Sequence, residues 1–339
     1  GIRDQPRSRG LGDVYKRQVL EGLVPVFAAI LTAQAVWGIG YTFTSGARQA
    51  WLADELGDRV GVGKIFLKGA QLEQLGALAG IALSVVLATL SVALPLIVGG
   101  IMFVILAVAL LVIMPERGFS PTPHINRTSW RDMRTTFAAG VTTTRTHPVL
   151  MAIIAIELFT GASSEPFDRL WTLHMLEIFE FPSPWGLNSL VWFGVIGGVA
   201  LLIGTVTTWF IRRIFDVDEP RTPRRLLAVI NAFLIGSTLV FALSGSFALA
   251  VSMVIITSVL RRISEPIADV WLIQHTESAY RATVFSLRGQ ANAFAQVALG
   301  PAMGFLAVMS TLRTALVGTS TLLAPSQVIY ASLDERQRN

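Results

Sequence analysis

The chain has 339 residues, of which 53% are hydrophobic and only 14% are charged. Soluble globular domains average about 25% charged residues, so this composition excludes an ordinary soluble domain and indicates a membrane protein. Cysteine is absent, which excludes a disulfide framework and a thiolate metal site. The net charge of +5 does not come from a stripe of cations with interleaved aromatic residues, so nucleic-acid binding is not expected.

The first 18 residues are polar and basic, unlike the rest of the chain. Asp13 to Gln18 read DVYKRQ, which resembles the translated end of a widely used sequencing-library transposon. We therefore expect residues 1–18 to be a non-native segment and exclude them from the fold prediction. The alternative is a genuine polar tail.

From Val19 onward, long apolar runs alternate with short polar breaks. Most runs approach the ~20 residues that an α-helix needs to cross ~30 Å of hydrocarbon. Turn residues such as Ser244-Gly245-Ser246 mark the breaks. The pattern predicts an all-α, polytopic membrane bundle with nine crossing helices, at 22–45, 72–91, 95–114, 148–172, 189–211, 226–245, 247–271, 283–308 and 312–331.

The longest interior break, 115–147, divides the chain. It separates 19–114, with three predicted helices, from 148–339, with six. Its residues 129–146 are predicted to form either a short surface helix or a flexible linker. Of the 27 Lys and Arg, 18 lie in this break, in the breaks 46–71, 212–225 and 272–288, and after 331. The predicted helices place all of these segments on the same side of the membrane. Because cytoplasmic loops carry the Lys and Arg excess, this side and the C-terminus are predicted to be cytoplasmic.

One stretch occurs twice, at an offset of 220 residues. Trp51-Leu52 falls on Trp271-Leu272, Lys68-Gly69 falls on Arg288-Gly289, and Gly80 falls on Gly300. The repeat predicts two similar halves, although similar membrane helices could also look alike by chance. With this offset, the segment that matches the helix beginning near 148 would lie before the first residue of the chain. We therefore expect a twelve-helix protein of which the last nine helices are present.

Four segments carry distinctive motifs, namely Val36–Gly57 (VWGIGYTFTSGARQAWLADELG), Gly76–Gly80 (GALAG), Met114–Phe119 (MPERGF) and Glu165–Trp171 (EPFDRLW). These segments resemble bacterial drug-efflux-like members of the major facilitator superfamily. The resemblance covers essentially all of 19–333 and implies a transporter with two parallel six-helix halves in a bacterial cytoplasmic membrane. It implies a small-molecule substrate, no cofactor, no metal and no enzymatic activity. Gly80-Ile81 stands where the antiporter signature has Gly-Pro, which leaves the direction of transport open.

Ionisable residues inside the apolar runs are the candidates for the substrate and proton pathway. A charge near the bilayer centre costs at least ~2.5 to 3.5 kcal/mol and usually faces a cavity or a partner. Glu157 is predicted about 14 Å deep in its helix and could carry the proton. Arg261 and Glu265, at i and i+4, could neutralise each other, and Arg262 and Asp269 lie on the same helix. The alternative is that these charges only lock helices together.

Three further groups of residues are candidates. Cytoplasmic gate candidates, which could form ion pairs that break during transport, are Arg48, Asp54, Glu55, Lys68, Glu277 and Arg288. Candidates for lining a central cavity are Gln34, Trp37 and Asn231. Glycine pairs at i and i+4, such as Gly194 with Gly198 and Gly300 with Gly304, are expected to allow close helix contacts.

We therefore expect a secondary active transporter that works by alternating access, a monomer that exports amphipathic or drug-like molecules in exchange for protons. The alternatives are an importer of a metabolite, either a sugar or an organic anion, and a membrane scaffold that does not transport. An exporter of cations would use Glu157, whereas an importer of anions would present Arg261 or Arg262 to the cavity.

Overall fold

The computed structural model describes residues 31, 47–56, 61–91, 94–113, 129–182 and 189–338. These residues form eleven α-helices and, within the described ranges, no β-strand. The helices are α1 (Ala47–Leu56), α2 (Val62–Leu90), α3 (Leu94–Ile113), α4 (Ser129–Thr146), α5 (Pro148–Ile178), α6 (Ser189–Ile214), α7 (Thr222–Leu243), α8 (Phe247–Ile273), α9 (Ser278–Met309), α10 (Leu312–Thr321) and α11 (Ala324–Arg338).

Six of these helices are long and apolar enough to cross a membrane, namely α2, α5, α6, α7, α8 and α9. Many of their large apolar side chains remain exposed, for example Val206 (53%) and Val297 (77%). Exposed apolar surface on this scale marks contact with hydrocarbon. The all-α membrane bundle predicted from the sequence is thereby confirmed. The predicted helix 22–45 lies outside the described residues, apart from Leu31.

Several predicted helix ends differ from the observed ones. The largest difference is at α2, which begins at Val62 although the apolar pattern predicts a start at 72. The added turns carry Lys64, Lys68 and Gln71, but they bury Phe66 and Leu67. A membrane helix continues past the hydrocarbon where protein packing replaces lipid contact, so hydropathy alone underestimates its length.

The predicted single helix 312–331 is wrong, because two helices, α10 and α11, occupy this region. Leu322 and Leu323 form a turn in which the Leu323 amide donates to the carbonyl of Ser320 at 3.2 Å. Pro325 follows directly. It has no backbone N–H and cannot continue the hydrogen-bond ladder to residue 321, so the helix restarts after the turn.

The structure decides between the two predictions for 129–146 in favour of a helix, α4. Its C-terminal residue precedes His147, whose side-chain Nδ1 accepts a hydrogen bond from the Leu150 amide at 3.4 Å. His147 thus caps the N-terminus of α5, and Pro148 occupies the first turn, where a missing N–H costs nothing.

The chain forms two compact units, one of Gly1–Ser45 with Gly76–Phe119 and one of Gly46–Leu75 with Ser120–Asn339. All sites described below lie in the second unit. Two apolar clusters stabilise it. The first contains Leu67, Ile267 and Trp271, and the second contains Phe167 and Phe241.

One close contact between helices in this unit is at a glycine that the sequence pattern did not select. A Cβ atom at Gly161 of α5 would lie 2.3 Å from the backbone oxygen of Asn292 in α9. By contrast, a Cβ at Gly194, Gly198 or Gly304 would meet nothing within 4 Å. The expectation that these three glycines allow close packing is therefore wrong, because they face open space.

Candidate functional site

Three charged side chains from three different helices meet inside the bundle. Arg288 of α9 donates from Nε to Glu157 Oε2 of α5 at 2.8 Å, and from Nη1 to Asp269 Oδ1 of α8. The side chains of all three are mostly buried, with exposed fractions of 11%, 14% and 10% for Arg288, Glu157 and Asp269. We call these three residues the charged triad.

The polar row on α9 extends the charged triad along the helix. Arg288, Asn292 and Gln296 are spaced at i, i+4 and i+8, so they lie on one face. Asn292 Nδ2 donates to Glu157 Oε1 at 2.6 Å, and Gln296 Nε2 donates to Asn292 Oδ1. Both carboxylate oxygens of Glu157 therefore accept hydrogen bonds from α9.

Gly161 explains why these groups can meet. It lies four residues after Glu157 and so faces the same way on α5. Because it has no side chain, the backbone of Asn292 approaches α5 at a distance that a Cβ would forbid. The close crossing brings the α9 polar row within hydrogen-bonding reach of Glu157.

The charge balance of the charged triad is unequal. One guanidinium is shared by two carboxylates, which leaves one excess negative charge when both are ionised. Burying a charge without a partner is costly. The charged triad therefore places an excess negative charge among apolar helices.

The structure brings together candidates that the sequence analysis had assigned to different roles. Arg288, expected at the cytoplasmic gate, is buried beside the pathway candidates Glu157 and Asp269. The predicted position of Arg288 at the cytoplasmic gate needs correction, because its nearest partners lie on α5 and α8 rather than in a loop. A guanidinium on a long side chain reaches carboxylates on adjacent helices that sequence spacing does not reveal.

Arg261 has a different partner from the one expected. Its guanidinium makes two hydrogen bonds to the Asp168 carboxylate of α5, at 2.6 and 2.8 Å. The expected pairing with Glu265 on the same helix is replaced by this bidentate pair between helices, which has the better geometry. Glu265 and Arg262 are both exposed.

One of the gate candidates, Asp54, forms part of a polar contact between separate segments. Asp54 of α1 accepts hydrogen bonds from Arg281 Nη1 and, at 2.7 Å, from Ser278 Oγ, both in the first turn of α9. This pair joins the two copies of the internal repeat. Arg48 lies 3.9 Å from Glu73, but both side chains are about 70% exposed, and such pairs contribute little.

The remaining gate candidates have other positions. Glu55 is half-buried in α1, and Lys68 is exposed on α2. Glu277 occupies the N-cap position of α9, and its side chain makes no capping hydrogen bond there.

The cavity candidates are not brought together. Asn231 is buried, and its Nδ2 donates to Gln327 Oε1 at 3.0 Å and to the Leu323 carbonyl at 3.4 Å. It therefore fastens α7 to α11. Gln34 and Trp37 lie outside the described residues.

Asn292, Gln296 and Asp168 were missed by the sequence analysis. Asn292 and Gln296 carried a usable signal, since they lie at i+4 and i+8 from Arg288 within an apolar helix. Polar residues inside a membrane helix usually face the protein interior. Asp168 carried none beyond its charge.

A second polar contact joins α2 to α6. Gln71 Nε2 donates to the Thr205 carbonyl at 3.1 Å, and Thr205 Oγ1 donates to Gln74 Oε1 at 3.2 Å. Arg262 lies near this contact. A Cβ atom added at Gly204, the residue before Thr205, would be 3.1 Å from Gln74 Oε1 and 4.0 Å from Arg262 Cδ.

A histidine pair lies at the ends of two spans. The rings of His147 and His275 have centroids 5.8 Å apart, and His275 Nδ1 lies 2.9 Å from the carbonyl oxygen of Trp271. Burial lowers the pKa of His275, the hydrogen bond to Trp271 opposes this shift, and His147 adds to it. Within the described residues, no group of three or more His, Cys, Asp or Glu side chains could hold a metal ion.

The comparisons with known proteins agree on one fold. No family model matches the chain. It is 22% identical over 317 residues to a Bacillus subtilis (strain 168) protein, the uncharacterized MFS-type transporter YxaM, covering 92% of this chain and 75% of that protein.

Two solved structures are also similar. The crystal structure of the human organic anion transporter MFSD10 (TETRAN) gives a TM-score of 0.73 at 14% identity, covering 94% of this chain and 75% of that one. The crystal structure of a bacterial homologue of the iron transporter ferroportin, in an outward-facing state, gives a TM-score of 0.62 at 15% identity. The match covers 96% of this chain and 80% of that one.

The six apolar spans found among the described residues indicate a multi-pass membrane protein. The chain is similar over most of its length to a protein named as an MFS-type transporter, and it shares the fold of two solved transporter structures. The resemblance stated from the sequence is confirmed at this level.

Proposed function

We propose that this transporter is a proton-coupled exporter of amphipathic or drug-like small molecules, in which the charged triad carries the proton. The observation behind the proposal is the position of Glu157, buried in a membrane-spanning helix and held by Arg288 and Asn292. A membrane scaffold would not need such a group, because burying charges costs stability that apolar packing would retain.

The proton step follows from competition for one guanidinium. With Glu157 ionised, Arg288 binds both carboxylates. When Glu157 takes up a proton, its charge no longer holds Arg288, which then pairs with Asp269 alone. The contact between α5 and α9 weakens as a result. A proton thereby changes the relative stability of two helix arrangements, which is what coupling requires.

The contact of Asp54 with Arg281 and Ser278 would serve as the gate in the proposed cycle. It joins the ends of α1 and α9 on the cation-rich side. We assign that side, and the C-terminus, to the cytoplasm of a bacterial cell on the distribution of Lys and Arg. Opening the cavity inward would break this contact, and closing it would restore it. We propose that one monomer suffices for the cycle.

The test uses the full-length protein in sealed vesicles that carry an imposed pH gradient. Addition of a cationic dye should collapse the gradient, and Glu157→Gln should abolish the collapse. Glu165→Gln is the matched control, since Glu165 lies on the same helix but pairs with the exposed Arg169 at 2.8 Å. Collapse with sugars or organic anions but not with cations would contradict the proposed substrate class.

A second candidate function is transport of an organic anion, and Arg262 favours it. Arg262 is exposed and lies beside the polar contact of Gln74 with Thr205. A guanidinium there would suit a carboxylate or phosphate. The structural neighbour MFSD10 is an organic anion transporter. In this case Arg262→Gln would abolish transport of the anion, and Glu157→Gln would not.

A further inference from the structure

A groove of about 390 Å³ lies between α2 and α6, away from the charged triad. Its lining includes Lys68, Leu72, Val206, Phe210 and Arg212. The hydrogen bond from Gln71 to the Thr205 carbonyl joins the two helices beneath it. Apolar walls and a charged end are therefore combined in one surface feature.

The walls of the groove are apolar and accessible. Leu72, Val206 and Phe210 are 60%, 53% and 50% exposed. They belong to helices that are long and apolar enough to cross a membrane. Side chains of this kind contact acyl chains rather than water.

The charged end of the groove carries only cations. Lys68 and Arg212 line it, and the Arg213 guanidinium lies 4.8 Å from the centre of the Trp209 ring. In the part of the chain that the structure describes, neither Lys68 nor Arg212 forms an ion pair with a carboxylate. Lys64, one turn earlier on α2, does have such a partner, Asp216 at 3.8 Å.

The position of these cations matches the headgroup layer. Arg212 and Arg213 lie in the last turn of α6, whose apolar span ends at Ile214. Long basic side chains at span ends extend toward the interface, and tryptophan is enriched at the same level. Basic pockets between membrane helices on the cytoplasmic side bind anionic headgroups.

We propose that this groove binds an anionic phospholipid, with its phosphate between Lys68 and Arg212 and one acyl chain along Leu72 and Val206. Charge complementarity selects the anionic lipid, because the lining residues include two cations and no carboxylate. A zwitterionic lipid would place its own cation against Lys68 and Arg212. The bound lipid would fill the space between α2 and α6 and hold these helices together.

The test is native mass spectrometry of the purified full-length protein in detergent, with equal amounts of phosphatidylglycerol and phosphatidylcholine of identical chains. Wild type should retain phosphatidylglycerol preferentially. The double variant K68Q/R212Q should weaken its retention roughly 30-fold, since each basic residue near an anionic surface contributes about a fivefold factor.

The control R221Q/R225Q removes two exposed cations that lie at the start of α7, outside the groove. It should retain the lipid as wild type does. K68R/R212K keeps both charges, so it should also retain the lipid, and it shows that loss in K68Q/R212Q is not a folding defect. Equal loss in both glutamine variants would overturn the proposal, as would equal retention of the two lipids. Displacement of the lipid by free glycerol phosphate at the same concentration would also overturn it.

Discussion

Replacing Gly161 by alanine tests the close crossing that builds the charged triad. The added Cβ would lie 2.3 Å from the backbone oxygen of Asn292, whereas ordinary contacts begin near 3.4 Å. The clashing atom belongs to the backbone, so no side-chain rotation relieves it. The two helices must therefore separate by about 1 Å.

The cost of this separation has two parts. Overpacking a well-packed interior costs about 1–3 kcal/mol. In addition, the 2.6 Å hydrogen bond from Asn292 to Glu157 would lengthen by about 1 Å along the same direction, beyond hydrogen-bonding range. Losing a hydrogen bond to a charged group costs about 1.5–3 kcal/mol. We expect a total of about 2.5–6 kcal/mol.

Thermal unfolding in detergent measures this effect, and G161A should lower the Tm by roughly 5–15 °C. Gly198→Ala is the matched control, because a Cβ there meets nothing within 4 Å. Alanine is the better helix former by about 1 kcal/mol, so G198A should melt at or slightly above the wild-type temperature. Equal melting temperatures for G161A and G198A would refute the close crossing.

Three further predictions concern charges and the gate. Arg288→Gln leaves two buried carboxylates without their guanidinium and should destabilise the protein by about 3–5 kcal/mol; adding Glu157→Gln should recover part of the lost Tm, and no recovery would argue against the shared pair. Because the chain has no native cysteine, Asp54→Cys with Ser278→Cys should react with a short bifunctional thiol reagent and stop transport until the link is cleaved; transport that continues while linked would exclude the gate. Because burial lowers the pKa of His275 in the folded chain, the unfolded chain binds a proton at this residue more readily below about pH 6.5, and stability falls as the pH falls. The Tm should therefore drop between pH 7 and 5. The drop should be smaller in H275Q, but not in a variant in which an exposed cation is replaced.

The membrane class and most helices could be predicted because hydropathy and helix length are properties of local sequence. The prediction was wrong where packing or a single residue overrides hydropathy. The first turns of α2 carry two lysines, yet they bury Leu67 against protein. Pro325 splits the last predicted helix in two, although both sides of the break are apolar enough to look continuous.

Part of the site could also be predicted from local sequence. Glu157 and Asp269 stood out because a charge inside an apolar helix is costly wherever the helix packs. Their common partner Arg288 could not be found, because partner choice depends on how α5, α8 and α9 rotate and cross. For Arg261 the sequence offers only neighbours on the same helix, which favoured Glu265 over Asp168.

The central claim is that Glu157 couples transport to the proton, and one pair of assays on Glu157→Gln tests it most directly. Full-length protein in proteoliposomes is measured for uphill transport driven by a pH gradient and for exchange of substrate at equal pH on both sides. The variant should lose driven transport and keep exchange, because only the proton step is removed. Driven transport at the wild-type level would contradict it.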